Sequence, residues 1–346
     1  MKFLISTHFY TRGFINPLKT GHGVWKEREG ILIKLECEKG IGFGEVAPVP
    51  FFQTETLDEA RKYIDSLEGS IDIDIDMDID MGKLKIPKNL PCTTFAFSSA
   101  IAQINQANQT KETVQTEVDR VFSVAGLLPS GANSKAVLAS KVALGFKTFK
   151  WKIGVDSFEE EAQIFDELIE ACDPKVQFRL DANASMGEDT LEKWMQYTQK
   201  YRSQIEFFEQ PMPIGRESEM AALTTKYKIP IALDESLNGP SGIQWLYQDD
   251  WTGLFVIKPT TQGNFDLMKG CLPKLGARCI LSSSFETSIG LANCLELASS
   301  IEGNHFALGF DTQSAFSDDY SSTQTSPLIS LFQIKQQAKS IIANVF

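Results

Sequence analysis

The chain has 346 residues, 42% of them apolar, and a formal net charge of −12. That length and apolar share suffice for one large domain or two ordinary ones with a real core. The acidic balance argues against nucleic acid and anionic membrane surfaces as partners and is compatible with a cation site, and no run approaches the roughly 18 apolar residues of a membrane span.

The opening Met1-Lys2-Phe3-Leu4-Ile5-Ser6-Thr7-His8 turns polar too soon for a signal peptide and reads as a first strand. Ile31–Leu35 and Gly40–Glu45 form the two arms of a hairpin joined near Glu38-Lys39-Gly40. The glycines 40, 42 and 44 lack the following helix of a nucleotide loop, so they belong to a turn and strand. Thr56 and Glu59 make a capping box at the start of a helix. Residues 70–82 alternate Ile or Met with Asp, a period-two pattern. The glycine and terminal Glu of a calcium loop are absent, so a solvated loop or edge strand is expected there. A helix is predicted over 93–116, capped by Thr93-Thr94, and a buried strand over Val121–Leu128.

From there strands and helices alternate. A helix is predicted over Ser134–Leu144, then a strand over Lys147–Ile153, then a helix opened by the capping box Ser157-Phe158-Glu159-Glu160. In the strand, Phe149, Trp151 and Ile153 share one face, while Lys150 and Lys152 share the other. Further strands are Val176–Asp181, Ile205–Glu209, Ile229–Asp234, Gly253–Lys258, Arg278–Ser284 and Phe306–Phe310. Eight strands with intervening helices indicate a closed parallel barrel inside a helical ring. The tail after Asp311 is polar to Ser326, then helical to Phe346, and is expected to pack back on the N-terminal part. The six cysteines, at 37, 92, 172, 271, 279 and 294, show no C-x-x-C spacing and read as reduced core residues of a cytosolic protein.

Lys152, Asp181, Glu209, Asp234 and Lys258 each end a predicted strand. They follow one another at intervals of about one strand–helix unit, which puts all five at the mouth where barrel active sites lie. Three converging carboxylates repel unless a cation sits among them, and oxygen donors suit Mg²⁺ or Mn²⁺ better than zinc. Asn183, two residues past Asp181, lies on the same side and could bond a ligand or support the metal. Glu235 either orients a lysine or starts a helix. A divalent metal could hold a substrate carboxylate and stabilise the enediolate left when a neighbouring carbon loses its proton. A base must be neutral to act, and a lysine beside a metal and a second lysine has its charged form disfavoured; Lys150 and Lys152 supply that setting.

Phe149-Lys150-Trp151-Lys152, Asp181-Ala182-Asn183, Phe208-Glu209-Gln210-Pro211, Leu233-Asp234-Glu235-Ser236 and Ile257-Lys258-Pro259 resemble the enolase superfamily in its muconate-cycloisomerase-like branch. Gly42-Phe43-Gly44-Glu45 near Pro48 resembles that superfamily's N-terminal domain. A Lys or His base acting with Mg²⁺ is the general pattern of this superfamily. The resemblance implies a (β/α)8-type, modified (β/α)7β barrel over 116–316. It also implies an α+β capping domain over 1–115 that the segment 317–346 completes.

It further implies Asp181, Glu209 and Asp234 as metal ligands, Lys152 as general base and Lys258 facing it across the substrate. The histidines are 8, 22 and 305, so the His-base branch does not match. Leu281–Gly290 most resembles the o-succinylbenzoate synthase family. That likeness implies dehydration of 2-succinyl-6-hydroxy-2,4-cyclohexadiene-1-carboxylate in menaquinone or phylloquinone biosynthesis, with Ser283, Ser284 and Phe285 receiving the succinyl end. An N-acylamino acid racemase or dipeptide epimerase of the same superfamily is the alternative, since it would use the same catalytic residues. The Asp-x-Asp expected of dipeptide epimerases after strand eight is missing: Gly309-Phe310-Asp311-Thr312-Gln313 offers one Asp. A non-catalytic metal-binding barrel is a further rival. Oligomeric state is not legible in the chain.

Overall fold

The computed structural model describes residues 1–20, 23–72, 86–110, 119–247, 250–303, 305–321 and 325–346. The Asp-rich alternation from residue 73 onward, and the pair Gly21-His22, lie outside these described residues.

The N-terminal part is a four-stranded antiparallel sheet of β1 (Lys2–Thr20), β2 (Gly23–Cys37), β3 (Gly40–Val46) and β4 (Ser70–Asp72), in the order β3-β2-β1-β4. Two helices accompany it, α1 (Leu57–Asp65) and α2 (Pro91–Thr110). The expected hairpin is present, with Cys37 opposite Gly40. The glycines of β3 serve close packing: a Cβ on Gly42 would come to 1.9 Å from the Ala100 carbonyl oxygen, and one on Gly44 to 2.0 Å from that of Ala96. With hydrogens there, α2 lies directly on the strand and buries Phe97, Ile101 and Ile104 against Phe3, Ile31, Ile33 and Leu35. The Thr56–Glu59 capping box starts α1 as expected. For α2 the cap differs. The helix begins at Pro91, and the buried Glu55 carboxylate accepts from Cys92 N at 3.1 Å and Thr93 N at 2.7 Å, so a distant carboxylate does what Thr93-Thr94 were expected to do.

Val121–Leu128 divides into β5 (Val121–Ser123) and β6 (Gly126–Leu128). The strand–helix series then runs α3 (Ser134–Ala143), β7 (Thr148–Lys152), α4 (Phe158–Glu170), β8 (Gln177–Asp181), α5 (Glu188–Tyr197), β9 (Ile205–Glu209), α6 (Glu217–Tyr227) and β10 (Ile231–Leu233). It continues with a single turn α7 (Gly239–Gly242), β11 (Leu254–Ile257), α8 (Phe265–Leu275), β12 (Cys279–Leu281) and α9 (Ser288–Ala298). Strands β6 to β12 lie side by side and parallel, in sequence order.

The eighth strand is reduced to two parallel bridges, Ser282 with Gly309 and Val124 with Leu308. These connect the segment after β12 to the segment before β6 and close the ring, with seven laddered strands and a bridging eighth. Gly309 passes so close that a Cβ would meet Ser282 Oγ at 2.5 Å. Last come β13 (Leu328–Ser330), antiparallel to β5, and α10 (Leu331–Val345). Ala338 and Ile341 of α10 join Tyr10 and Leu32 in one buried cluster, so the tail does return to the N-terminal sheet.

The alternation in β7 sets up the site. Phe149, Trp151 and Ile153 are fully buried, and Trp151 stacks on Phe165 of α4 with ring centres 5.6 Å apart. That packing points Lys150 and Lys152 inward. Among the described residues no helix is long and apolar enough to cross a membrane.

Candidate active site

The strand register assembles the charged residues. Lys152 is paired with Asp181, and Asp181 with Glu209, on successive strands. Asp234 and Lys258 follow directly after β10 and β11. One cavity of about 410 Å³ is lined by Lys150, Lys152, Asp181, Asn183, Glu209, Asp234 and Lys258. Ser283, Ser284 and Phe285 form part of its wall, and Leu18, Trp25 and Phe52 reach it from the N-terminal part. All the residues singled out from the sequence therefore converge, with Glu235 just behind the wall.

Ion pairs organise the floor. Lys150 Nζ lies 2.8 Å from Asp181 Oδ2 and 2.5 Å from Glu209 Oε1. Lys258 Nζ pairs with Asp234 Oδ1 and sits 4.8 Å from the centre of the Phe52 ring. Burial works against the charge on Lys150, but Asp181, Glu209 and Asp234 outweigh it and push its pKa up. This lysine is thus held as a cation among the carboxylates.

Burial pushes Glu209 up to about 7, with Asp181 and Asp234 adding to the rise and Lys150 opposing it. Glu235 is pushed up to about 8 by burial and then by the Asp234 and Asp181 charges. Its Oε1 accepts from Asn183 Nδ2 at 3.2 Å and its Oε2 has no hydrogen-bond partner among the described residues. Glu235 opens a short 3₁₀ turn and holds Asn183.

Among the described residues no three His, Cys, Asp or Glu side chains are gathered into a finished cation cage; the lysine ammonium groups occupy that role. The donor set itself fits a hard divalent ion: three nearly buried carboxylates from adjacent strand ends, with Glu209 raised by burial and then by the Asp181 and Asp234 charges.

Several supporting residues lay beyond sequence reasoning. Gln210 is fully buried. Its Oε1 accepts from Asp234 N at 2.9 Å and Ser236 N at 3.1 Å, and its Nε2 donates to Met212 O and Ser236 Oγ. It thereby fixes the backbone that carries Asp234. Glu161 accepts from the N–H groups of Gly154, Val155 and Asp156, anchoring the loop that follows Lys152. Thr260 bonds Ser284 Oγ at 2.5 Å. The one available signal was adjacency: Gln210 directly follows Glu209. Nothing local marks the other two.

Comparison with known proteins agrees with this geometry. Residues 134–328 match the family described as enolase C-terminal domain-like, and residues 20–104 match that described as MenC, N-terminal domain. The chain is 32% identical to the o-succinylbenzoate synthase of Thermosynechococcus vestitus, across 87% of this chain and 90% of that protein. It is 29% identical to the o-succinylbenzoate synthase of Haemophilus influenzae, across 83% of each. Among solved structures, o-succinylbenzoate synthase from Thermosynechococcus elongatus, complexed with Mg in the active site, superposes with a TM-score of 0.75 at 29% identity, covering 97% of this chain and 99% of that one. A dipeptide epimerase from Enterococcus faecalis superposes with a TM-score of 0.78 over 95% of this chain and 96% of that one, at 20% identity, a likeness of fold. The chain belongs to the o-succinylbenzoate synthase family of the enolase superfamily.

Proposed function

We propose that this chain is an o-succinylbenzoate synthase, a dehydratase that converts 2-succinyl-6-hydroxy-2,4-cyclohexadiene-1-carboxylate to the aromatic o-succinylbenzoate in menaquinone or phylloquinone biosynthesis, acting in the cytoplasm. The observation that carries this is the convergence of two inward lysines of β7, three strand-end carboxylates and Lys258 on one cavity, in a chain of that family. Asp181, Glu209 and Asp234 would hold Mg²⁺, or Mn²⁺ in its place, as Lys150 and Lys258 relinquish their pairs with these carboxylates. When bound, the metal supplies charge that neutralises the substrate carboxylate and the negative charge that builds on it.

Lys152 is the general base. It stands opposite Asp181 in the register and removes the proton from the ring carbon next to the carboxylate. The same ammonium then returns that proton to the hydroxyl, which leaves as water from the same face. Lys258, across the cavity, stabilises the anionic intermediate by its charge. Lys150 stands beside Lys152 on the same face of β7, and its role is electrostatic. Ser283, Ser284 and Phe285 line the wall that takes the succinyl arm.

The division into a capping domain over 1–115, completed by 317–346, and a catalytic barrel over 116–316 is part of this reading. It is supported by the contribution of Leu18, Trp25 and Phe52 to a cavity otherwise built by the barrel. The epimerase alternative loses ground at Asp311. That carboxylate is engaged by Leu127 N at 2.8 Å, by Lys141 and by Thr325 Oγ1 at 2.5 Å, and is not free to meet a substrate ammonium.

The test is a spectrophotometric assay with the cyclohexadiene carboxylate and Mg²⁺ on wild type and Lys152→Ala. Metal-dependent turnover that falls by about 10²–10⁴ in the variant is expected for loss of an essential base. Turnover unaffected by Lys152→Ala would defeat the mechanism. Absence of turnover, with proton exchange in N-acylamino acids or dipeptides in D₂O, would favour the isomerase.

A further inference from the structure

The wall formed by Ser283, Ser284 and Phe285 belongs to the barrel, yet it is gripped from the N-terminal sheet. Phe285 has φ = 65°, a left-handed conformation that a bulky side chain rarely adopts and that persists only where its surroundings over-determine it. The carbonyls on either side of it are both held. Arg28 Nε donates to Ser284 O at 3.1 Å, and Arg12 Nη1 donates to Glu286 O at 3.3 Å.

These two arginines are direct cross-strand partners in β1 and β2, and each is only 1% exposed. Two buried like charges side by side are unfavourable, so their placement calls for compensation. Arg12 has it in the Asp318 carboxylate, at 2.9 and 3.1 Å. Arg28 instead directs its donors to carbonyls, those of Glu29, Pro48 and Ser284, and its Nη2 has no hydrogen-bond partner among the described residues. The grip continues on both sides. Glu286 Oε2 accepts from Ser284 N at 2.7 Å, and Glu45 of β3 accepts from Thr287 N and Gly290 N, each at 3.0 Å, at the start of α9. The Phe285 ring is wedged edge-on against Phe14, at 5.2 Å, and Trp25, at 5.5 Å.

We propose that Arg12 and Arg28 are positioning residues: by clamping the two carbonyls that flank Phe285 they hold its left-handed backbone, and this preforms the wall that receives the succinyl arm of the substrate. The inference rests on the functional reading above. Neither arginine lines the cavity, so their effect passes through the backbone of 284–286 and bears on the arm, while the ring carboxylate end near Lys152 and the three carboxylates is left alone.

The test uses full-length protein with Mg²⁺ and two probes, o-succinylbenzoate and benzoate, which shares the ring carboxylate but lacks the arm. Wild type is compared with Arg28→Met, and with Arg28→Lys, which keeps the charge and stem but loses the guanidinium fork. For Arg28→Met, the inhibition constant of o-succinylbenzoate is expected to rise at least tenfold and that of benzoate to stay within twofold, with KM rising more than kcat falls. Should Arg28→Met not fold, Arg28→Lys carries the same comparison. Equal loss of both probes, or loss of neither, overturns the inference. Wild-type turnover is measured first: its absence defeats the functional reading, whereas turnover with unselective Arg28 variants defeats this inference alone.

Discussion

Replacing Gln210 with Ala removes four hydrogen bonds from a fully buried position beside the carboxylates proposed to hold the metal. Two of them satisfy the backbone N–H groups of Asp234 and Ser236, which the variant leaves without partners. At about 1–3 kcal/mol for each buried orphan, the loss comes to about 2–6 kcal/mol. With about 2.1 cal/mol/K of unfolding entropy per residue over 346 residues, that lowers Tm by about 3–8 °C. The functional effect is separate. Asp234 is held through its own amide, and removing the support of a ligand typically weakens metal binding by about 10–100-fold. Gln210→Gly distinguishes the two effects. Gln210 has φ = 32°, which glycine adopts without strain, so the glycine variant should recover about 1–2 kcal/mol over alanine while binding Mg²⁺ equally poorly. Calorimetric titration with Mg²⁺ and thermal melts of the three proteins provide the measurements. Wild-type Mg²⁺ affinity in a variant whose Tm has fallen as expected would refute the link between Gln210 and Asp234.

Gly44→Ala sets a methyl group against the Ala96 carbonyl and should destabilise by about 1–3 kcal/mol, the cost of overpacking a close helix–strand contact. Gly13→Ala, where nothing lies within 4 Å, is the control, and equal Tm values for the two variants would show that α2 yields without cost. Cys172 is pushed up to about 11 by burial, so at pH 8 its thiolate is on the order of one part in a thousand. Its alkylation rate, followed by peptide mapping, should rise about tenfold per pH unit from 7 to 10; a plateau below pH 9 would contradict the shift.

What the sequence disclosed, and what it withheld, follow from the range of the interactions involved. The two faces of β7, the capping boxes at Thr56 and Ser157 and the hairpin turn near Glu38 depend on residues a few positions apart, so a local pattern determines them. The charged strand ends were legible for a different reason: a barrel repeats its unit, and a residue type recurring at that interval is projected onto one rim. The support for those residues has no such period. Arg28 meets Ser284, Glu45 meets Thr287 and Glu55 meets the start of α2 only because the N-terminal sheet lies over the barrel mouth and its own helix. The same contacts bear on the end of β12: after Leu281 only the Ser282 bridge to Gly309 continues the pairing, and the chain then turns into the loop that Arg12, Arg28 and Glu45 hold. Lys150 shows the limit for electrostatics. The sequence places two lysines on one face, but the sign of the shift depends on the groups that other strands bring near, and three carboxylates outweigh burial. Charge type can be read from a chain, whereas the balance of desolvation against ion pairing requires the distances.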